Sequence, residues 1–537
     1  MVGRVPTNAD SEKAMNTISS DYTASLNLAR KWLSHCQSSH DDCKIHERQS
    51  TKRRNPSRVL FLGKVSHTDD VHLRICNSDA SPITYATLSH CWGSLEVLKL
   101  TKETLPKFLQ RILVGDLCKS FQDAIFVARF LGFDYLWIDS LCIIQDDTED
   151  WLEESALMSS VYGLSSLNIA ASGAADGSEG LFFARIPPQF RTYEMTVEVR
   201  GHNLGYECRD PYTYFRCIGS QPLAKRAWAI QERILAPRTL SFSRTELFWE
   251  CKTQSACETS PEFFPFPPAA GGEFLRKSSL LTWETIVLLY TSANLTFSRD
   301  KLIALSGLAR HFHKRTAEDT YLAGLWRKPL PMKLCWRVDN PQPRPTSYRA
   351  PTWSWASVDG RILLQNDNGN EMPRYVRLID VIHVSVDHAG GGEFGEASGG
   401  TLMLGCKVLL PGQLTAASSE EHIVRFPACS MDVSVGWDFE ELKSKATGTY
   451  YFVAFDIDSF GHSGELTWGL ILVQLQGKQG QYHRVGRFKL NSANNDNYFN
   501  LKDMMAGLEA ADRLKDRDFV RKTTSSDGET IHVIVIL

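Results

Sequence analysis

The spacing of hydrophobic positions changes along the chain and predicts two architectures in succession. Residues 1–20 are polar, and apolar residues from Leu26 to Cys36 then recur at helical spacing, which predicts an amphipathic helix over 21–36. From about residue 58, apolar runs of strand length alternate with helical patterns, as in a parallel sheet with crossover helices. The predicted strands begin near residues 59, 71, 85, 135 and 167, and the predicted helices cover 117–131 and 147–163.

The second half of the chain favours helices followed by an antiparallel β-rich region. Pro222 fits the first turn of a helix that runs to about Leu235, and two short strands follow it. Alternation of apolar and polar positions dominates after about residue 350. We predict strands at 238–242, 246–250, 401–410, 450–457, 468–476 and 482–489, and helices at 280–292, 299–314 and 500–521.

Length, charge and composition narrow the class of protein. The chain has 537 residues, too many for one ordinary core. Its 59 Lys+Arg and 62 Asp+Glu give a net charge of -3, so no basic field favours nucleic acid as a partner. We divide the chain into a lead-in with a short helix (1–57), an α/β domain (58–260), a helical extension (261–360) and a β-rich region (361–537).

Cysteine use and hydropathy predict a cytoplasmic protein. The 13 cysteines are scattered along the chain, and the polar N-terminus lacks the apolar segment of a secretory signal. No apolar run is long enough for a membrane span, and no nucleotide-binding P-loop pattern occurs.

Two loops at predicted strand ends are the first candidate site, because parallel sheets bind ligands at the carboxyl ends of their strands. The first loop offers Ser89, His90, Trp92 and Gly93, with a stacking face and a sharp turn, although Trp92 could simply fill the space between sheet and helix. In the second loop, Asp139 ends a buried strand and needs partners, which could be a ligand or backbone N–H groups. Gln145 and Asp146 follow it in a polar loop.

A second candidate lies on the helix after Pro222. Trp228 and Glu232 are four residues apart and share a face, with Gln231 beside them. An aromatic ring with a carboxylate at its edge can hold a nucleotide-sugar and stabilise positive charge on it. Spacing alone favours a simpler interpretation, in which Glu232 is a surface residue paired with Arg226 or Arg233.

The segment after the first helix contains four possible zinc ligands. They are Cys36, His40, Cys43 and His46. Structural zinc sites normally join two separated pairs, so the favoured interpretation is a helix end pinned by a buried cysteine and histidine, with no metal. Cys251 and Cys257 are interpreted as structural.

Several blocks in order resemble the fungal heterokaryon incompatibility (HET) domain. The blocks are Tyr85-Ala-Thr-Leu-Ser-His-Cys-Trp-Gly, Tyr135-Leu-Trp-Ile-Asp-Ser-Leu-Cys-Ile-Ile-Gln-Asp, Met158 with Val161-Tyr162, and Arg226-Ala-Trp-Ala-Ile-Gln-Glu-Arg. Segments between Trp283 and Ser357 are similar to the usual tail of such proteins, and the likeness covers roughly residues 20–360. Two positions depart from the family pattern, His90 and Ala229.

The resemblance implies a role in non-self recognition and programmed cell death, and a flavodoxin-like or TIR-like α/β fold. By analogy with TIR domains that cleave NAD, Glu232 and Trp228 would be the catalytic residues. NAD would be the substrate, with no cofactor required, and would be bound by Ser89, His90, Trp92, Gly93, Asp139, Gln145, Asp146 and Gln231.

The implied partners are other incompatibility proteins or further copies of the chain. Two alternatives to NAD cleavage stay open. The domain could be a non-catalytic module that recruits other cell-death factors. It could also be a cysteine hydrolase using Cys91 or Cys142 with His90, which we favour least because no general-base pairing is evident.

Overall fold

Two compact units make up the chain, Met1–Thr282 and Trp283–Leu537. The finer division into four segments stays a prediction. The computed structural model describes residues 22–44, 55–63, 70–77, 81–94, 96–184, 193–199, 202–208, 214–262, 282–316, 319–364, 375–389, 392–416, 421–425, 430–445, 448–459, 465–491, 514–526 and 528–537.

The first unit alternates strands and helices, as its hydrophobic pattern predicts. Its helices are α1 (Tyr22–Ser39), α2 (Leu105–Gln110), α3 (Lys119–Phe130), α4 (Asp139–Cys142), α5 (Thr148–Leu164) and α6 (Ala227–Leu235). Its strands are β1 (Arg58–Phe61), β2 (His72–Ile75), β3 (Ala86–Ser89), β4 (Tyr135–Trp137), β5 (Leu167–Ala170), β6 (Tyr193–Val199), β7 (His202–Cys208), β8 (Arg238–Phe242), β9 (Leu247–Cys251) and β10 (Ser255–Cys257). Single turns of 3₁₀ or π type lie at Asp41–Lys44, Val114–Asp116, Phe215–Gly219 and Pro222–Lys225.

Among the described residues of this unit, eight strands form one mixed sheet in the order β10-β9-β8-β5-β3-β4-β1-β2. The predicted parallel arrangement holds for the centre, where β8, β5, β3 and β4 run parallel. The flanking strands are antiparallel. Every residue of β3 and β5 is buried, which explains why the central strands are apolar runs rather than alternating patterns. A separate hairpin of β6 and β7 was not predicted.

The sequence predicts the start of α5 correctly but not that of α6. Asp147 caps α5 by accepting from the backbone N–H groups of Glu149 (3.1 Å) and Asp150 (3.4 Å), as predicted. The single helix predicted from Pro222 is wrong. Residues Pro222–Lys225 form a 3₁₀ turn, and Arg226 is extended (φ -95°, ψ 119°) before α6 begins.

The second unit is dominated by an antiparallel sheet, as predicted for the C-terminal region. Its helices are α7 (Trp283–Thr291), α8 (Ser306–His313), α9 (Leu330–Lys333) and α10 (Leu442–Lys445), with 3₁₀ turns at Ser298–Lys301, Ile303–Leu305, Trp355–Ser357 and Asp516–Asp518. Its strands are β11 (Tyr321–Leu322), β12 (Leu325–Trp326), β13 (Arg337–Val338), β14 (Ile362–Leu363), β15 (Tyr375–Arg377), β16 (Ile379–His388), β17 (Ala397–Cys406), β18 (Leu409–Ala416), β19 (Glu421–Arg425), β20 (Ser430–Trp437), β21 (Gly448–Ser459), β22 (Glu465–Gln474), β23 (Gln481–Asn491), β24 (Arg521–Thr524) and β25 (Thr530–Ile536).

Strands β15 to β25 form the large sheet of this unit, and its pairs are antiparallel except for β23 with β25. Most of the helix predicted at 500–521 lies outside the described residues, and its described end is a 3₁₀ turn followed by β24, not a helix. The helix predicted at 299–314 is two 3₁₀ turns followed by α8.

Within the described part of the chain, every helix is too short or too polar to cross a membrane.

Candidate functional site

The two predicted loops meet at one edge of the sheet. Strands β3 and β4 are parallel neighbours, with Ala86 opposite Leu136, so the residues after them leave the sheet side by side. The indole Nε1 of Trp92 donates a hydrogen bond of 2.9 Å to Oδ2 of Asp139 and joins the two loops. The sequence therefore placed these loops correctly, and Trp92 has a polar role beyond filling space.

Asp139 is a buried carboxylate held by several donors. Arg226 Nη2 donates to its Oδ2 at 3.1 Å, and the backbone N–H of Ser140 donates to its Oδ1 at 2.7 Å. His90 Nδ1 lies 3.7 Å from the same Oδ1. Burial alone would raise the pKa of Asp139, but the charge of Arg226 and the donated hydrogen bonds hold it below its ordinary value. Asp139 is therefore an ionised anchor.

Arg226 brings the third block of the sequence to the same edge. Its Nη1 donates to the backbone carbonyl of His90, and its guanidinium lies 6.0 Å from the centre of the Trp92 ring. The extended backbone at this residue ends the 3₁₀ turn and starts α6, which carries Gln231 and Glu232. The Arg226 side chain is 23% exposed, more than the neighbouring Asp139 and His90.

Glu232 is not the surface residue that spacing alone favoured. It has 0% exposure, and within the described residues neither carboxylate oxygen has a hydrogen-bond partner. Neither expected arginine pairs with it, since Arg226 binds Asp139 and Arg233 binds Glu250 through two hydrogen bonds. Burial raises the pKa of Glu232, which the charge of Arg226 only partly offsets.

The hydroxyls of Ser89 and Tyr162 lie close to the Glu232 carboxylate and act to lower its pKa, but both donate to other acceptors. Ser89 Oγ donates to Oδ1 of Asn168 at 3.1 Å, and the Tyr162 hydroxyl donates to the backbone carbonyl of Leu88 at 3.1 Å. The acid is therefore surrounded by polar groups that are committed to other acceptors.

His90 is a neutral imidazole in this arrangement. Its ring packs edge-on against Phe121 at 4.9 Å and is parallel to the Trp92 ring at 6.4 Å. Within the described residues neither ring nitrogen has a hydrogen-bond partner. Burial lowers the pKa of His90 to about 4, although the carboxylate of Asp139 acts in the opposite direction.

The remaining predicted site residues lie in the two loops or on helix α6. Gly93 has φ +65°, and a Cβ there would lie 2.3 Å from Cβ of Asp176, so the sharp turn requires glycine. Gln145 Nε2 donates to the carbonyl of Ile143 at 3.0 Å, and Asp146 accepts from the backbone N–H of Lys102 at 2.9 Å. Gln145 and Asp146 therefore fix loop backbone. Gln231 is buried and Trp228 is partly buried, both on α6.

Comparison with known protein families gives one match. Residues 85–232 match the family model described as "Heterokaryon incompatibility protein (HET)". The chain carries a HET domain. No curated protein and no solved structure matches it. The matched segment begins next to β3 and ends at Glu232, so it contains all the loops that converge on Asp139.

Two residues of the HET domain lie at the candidate site but were not predicted from the sequence as site residues. Tyr162 and Asn168 lie beside Ser89, as the hydrogen bonds above show. Asn168 is a polar residue inside the apolar run Leu167-Asn-Ile-Ala, and a polar group in a buried strand needs a partner. The polar residue within this apolar run was the sequence signal that could have identified Asn168 as a site residue.

Cys91 and Cys142, the two cysteines considered as nucleophiles, lack the character of one. Burial raises the pKa of Cys91 to about 11 and that of Cys142 to about 12. A catalytic thiol needs a lowered pKa and a base able to accept its proton. The cysteine hydrolase alternative therefore gains no support.

A separate cluster gathers four potential metal ligands. The side chains of Cys36, His40, Cys43 and Cys251 place their ligand atoms within 4.8 Å of one another. Three of these residues belong to the set suggested by the sequence, and His46 lies outside the described residues. Cys251, interpreted from the sequence as structural, is the fourth potential ligand and lies at the end of β9.

Proposed function

We propose that this heterokaryon incompatibility protein is a cell-death effector of fungal non-self recognition that hydrolyses NAD in the cytoplasm. In the proposal Glu232 is the catalytic carboxylate and Trp228, on the same helix face, shapes the pocket. The main observation that supports this role is that Glu232 is fully buried and has no hydrogen-bond partner among the described residues. A buried carboxylate without partners is costly for folding, and such groups concentrate at functional sites.

The chemistry of NAD hydrolysis suits a single carboxylate. The bond between the ribose C1′ and the nicotinamide nitrogen breaks, its electron pair stays on nitrogen, and neutral nicotinamide leaves without a proton. Water then bonds to C1′ and releases a proton, which gives ADP-ribose. The developing positive charge on the ribose is stabilised by an ionised Glu232 beside it. NAD is the substrate, and no further cofactor is needed.

The fold offers supporting arguments. The central parallel strands place their carboxyl ends, and so the Ser89–Gly93 and Asp139–Asp146 loops, at one edge, where α/β proteins bind nucleotides. We infer that the α/β sheet is related to the TIR fold, and that Trp92, Gly93 and the loop fixed by Gln145 and Asp146 form the rim of the NAD site.

Activation must open the site. Since Glu232 has no exposure, NAD reaches it only after the surrounding loops move. We propose that self-association or another incompatibility protein supplies this change. The partly exposed Arg226, which ties Asp139 to the loop of His90, is the element whose release would uncover the acid.

The test is nicotinamide release by the purified full chain, assayed alone and fused to a tetramerising coiled coil. We expect release by the assembled wild type and a loss of about 100-fold or more in Glu232→Gln, as for other groups that stabilise transition-state charge. Glu153→Gln, at an exposed position on α5, is the matched control and should keep full activity. Equal release by Glu232→Gln and wild type would refute the catalytic role.

Loss of activity must be separated from loss of fold. Because burial raises the pKa of Glu232, the folded state disfavours its ionised form, and a neutral amide removes this penalty at neutral pH. The thermal midpoint of Glu232→Gln should therefore equal or exceed that of the wild type at pH 7.

The zero exposure of Glu232 also favours a second candidate function, an assembly module that recruits other cell-death factors without catalysis. Toxicity in fungal cells discriminates between the two. Full toxicity of Glu232→Gln would support the assembly module, whereas loss of toxicity with a retained fold would support NAD hydrolysis.

A further inference from the structure

We propose that Cys36, His40, Cys43 and Cys251 bind a structural zinc ion. Zinc–sulfur bonds of about 2.3 Å in a tetrahedron put neighbouring sulfurs about 3.8 Å apart. The ligand atoms of this cluster all lie within 4.8 Å of one another, which fits one ion shared by all four side chains. A three-cysteine, one-histidine set is a ligand combination of structural zinc sites.

The local backbone gathers the ligands in two groups. Cys36 lies near the end of α1, and the backbone N–H of His40 donates to its carbonyl at 3.2 Å, so one helical turn puts both side chains on one side. Cys43 follows in the 3₁₀ turn. Cys251 ends β9, and the backbone N–H of Gln254 donates to its sulfur at 3.3 Å. The fold therefore joins three ligands from one local segment to a fourth that lies 211 positions after His40 along the chain.

A buried positive charge beside the cluster favours thiolates over neutral thiols. Arg238 on β8 is 1% exposed, and its Nε donates to Sγ of Cys36 at 3.1 Å. Its other hydrogen bonds go to the carbonyls of Ser166 and Cys43, and no carboxylate within the described residues forms an ion pair with it. A buried guanidinium needs a negative partner.

Zinc bound by three thiolates and one neutral imidazole would carry one negative charge. The positive charge of Arg238 would balance it, and its hydrogen bond to the Cys36 sulfur would orient that ligand, as outer-shell donors do in known metal sites. Reduced, protonated thiols would leave the arginine buried and uncompensated. The same residues therefore explain both the cluster and the charge beside it.

The first experiment measures zinc in the full chain purified without chelators. We expect about one zinc ion per chain, retained through dialysis against metal-free buffer. Cys43→Ser and Cys251→Ser should each lower the zinc content at least about tenfold. Cys257→Ser, a buried cysteine on the adjacent β10, is the matched control and should keep the wild-type content.

A second measurement uses wild-type protein alone, in case the variants do not fold. A mercurial that titrates thiols should release zinc to a chromogenic chelator, and exchange with Co²⁺ should give the visible absorption bands of a tetrahedral thiolate complex. Wild-type protein with less than a tenth of a zinc ion per chain would overturn the proposal. So would iron in place of zinc, a disulfide among Cys36, Cys43 and Cys251, or unchanged zinc in soluble Cys43→Ser and Cys251→Ser.

Discussion

The burial of His90 makes the stability of the folded state depend on pH. Its folded pKa of about 4 lies below the ordinary value of 6.5, so the unfolded chain binds more protons between these values. The folded state therefore loses stability as the pH falls from 6.5, by about 2 kcal/mol at pH 5 at about 1.4 kcal/mol per pKa unit. Asp139 and Arg226 are the charged groups that face the ring.

Replacing His90 by phenylalanine should remove this dependence. The ring already packs against aromatic neighbours, so His90→Phe keeps the shape and deletes the titration. Urea midpoints at pH 6.5 and pH 5 should differ less in His90→Phe than in the wild type. His72→Phe, a partly exposed histidine on β2, should retain the wild-type difference. An unchanged difference in His90→Phe would mean that other groups cause the acid sensitivity.

Individual site residues were predictable from the sequence where the backbone or the burial of a charge allows few residue types. Gly93 was predicted from the need for a turn, and Asp139 from the need of a buried carboxylate for partners. The identity of those partners was not predictable. Arg226 reaches Asp139 because the backbone is extended at one residue between two helical turns, and no sequence rule in the segment Pro222 to Leu235 marks that break.

Elements of the second unit are tied together by one buried ion pair. Arg484 on β23 donates to both oxygens of Asp438 and to the carbonyls of Leu334 and Trp336, and its guanidinium lies 3.2 Å from the centre of the Trp336 ring. Both charged side chains are almost fully buried. The pair thus joins strand β23 to the segments before β13 and after β20.

Arg484→Met should lower the stability of the second unit by about 3–5 kcal/mol, because it leaves Asp438 buried without its cation. Arg484→Met combined with Asp438→Leu should recover much of this loss. Thermal unfolding is the measurement, and Lys478→Met, at an exposed turn, should have little effect. A single variant as stable as the wild type would show that the pair is dispensable.

Prediction of elements succeeded where periodicity was strong. The central strands and helices α3 and α5 were placed within a few residues, because apolar spacing is imposed by the buried faces. It failed for the hairpin β6–β7. The helix expected at 299–314 begins as two 3₁₀ turns before α8, and the described end of the helix expected at 500–521 is a 3₁₀ turn followed by β24. Whether a short apolar segment becomes an α-helix or a 3₁₀ turn depends on tertiary contacts that the sequence does not display.

At the scale of the whole molecule, the segment matched by the HET family model is smaller than the unit that folds. Residues 85–232 include β3, β4 and β5 but omit β1, which pairs with β4, and β8, which pairs with β5. They also omit all four proposed zinc ligands. The sheet would have two open apolar edges, a template for aggregation.

We therefore expect residues 85–232 expressed alone to be insoluble, and residues 22–262, which contain every strand of this sheet, to be soluble. Gel filtration of both fragments checks the prediction. A monodisperse, folded 85–232 fragment would show that the flanking strands are unnecessary for the domain.

Asp139 accepts from both Trp92 and Arg226, which belong to blocks 47 and 87 positions away from it along the chain. Replacing the acid alone would leave an indole N–H and a guanidinium without their acceptor, so we expect the three residues to change together rather than singly. The stretches between them are free of this constraint, so we expect them to tolerate changes in length and composition.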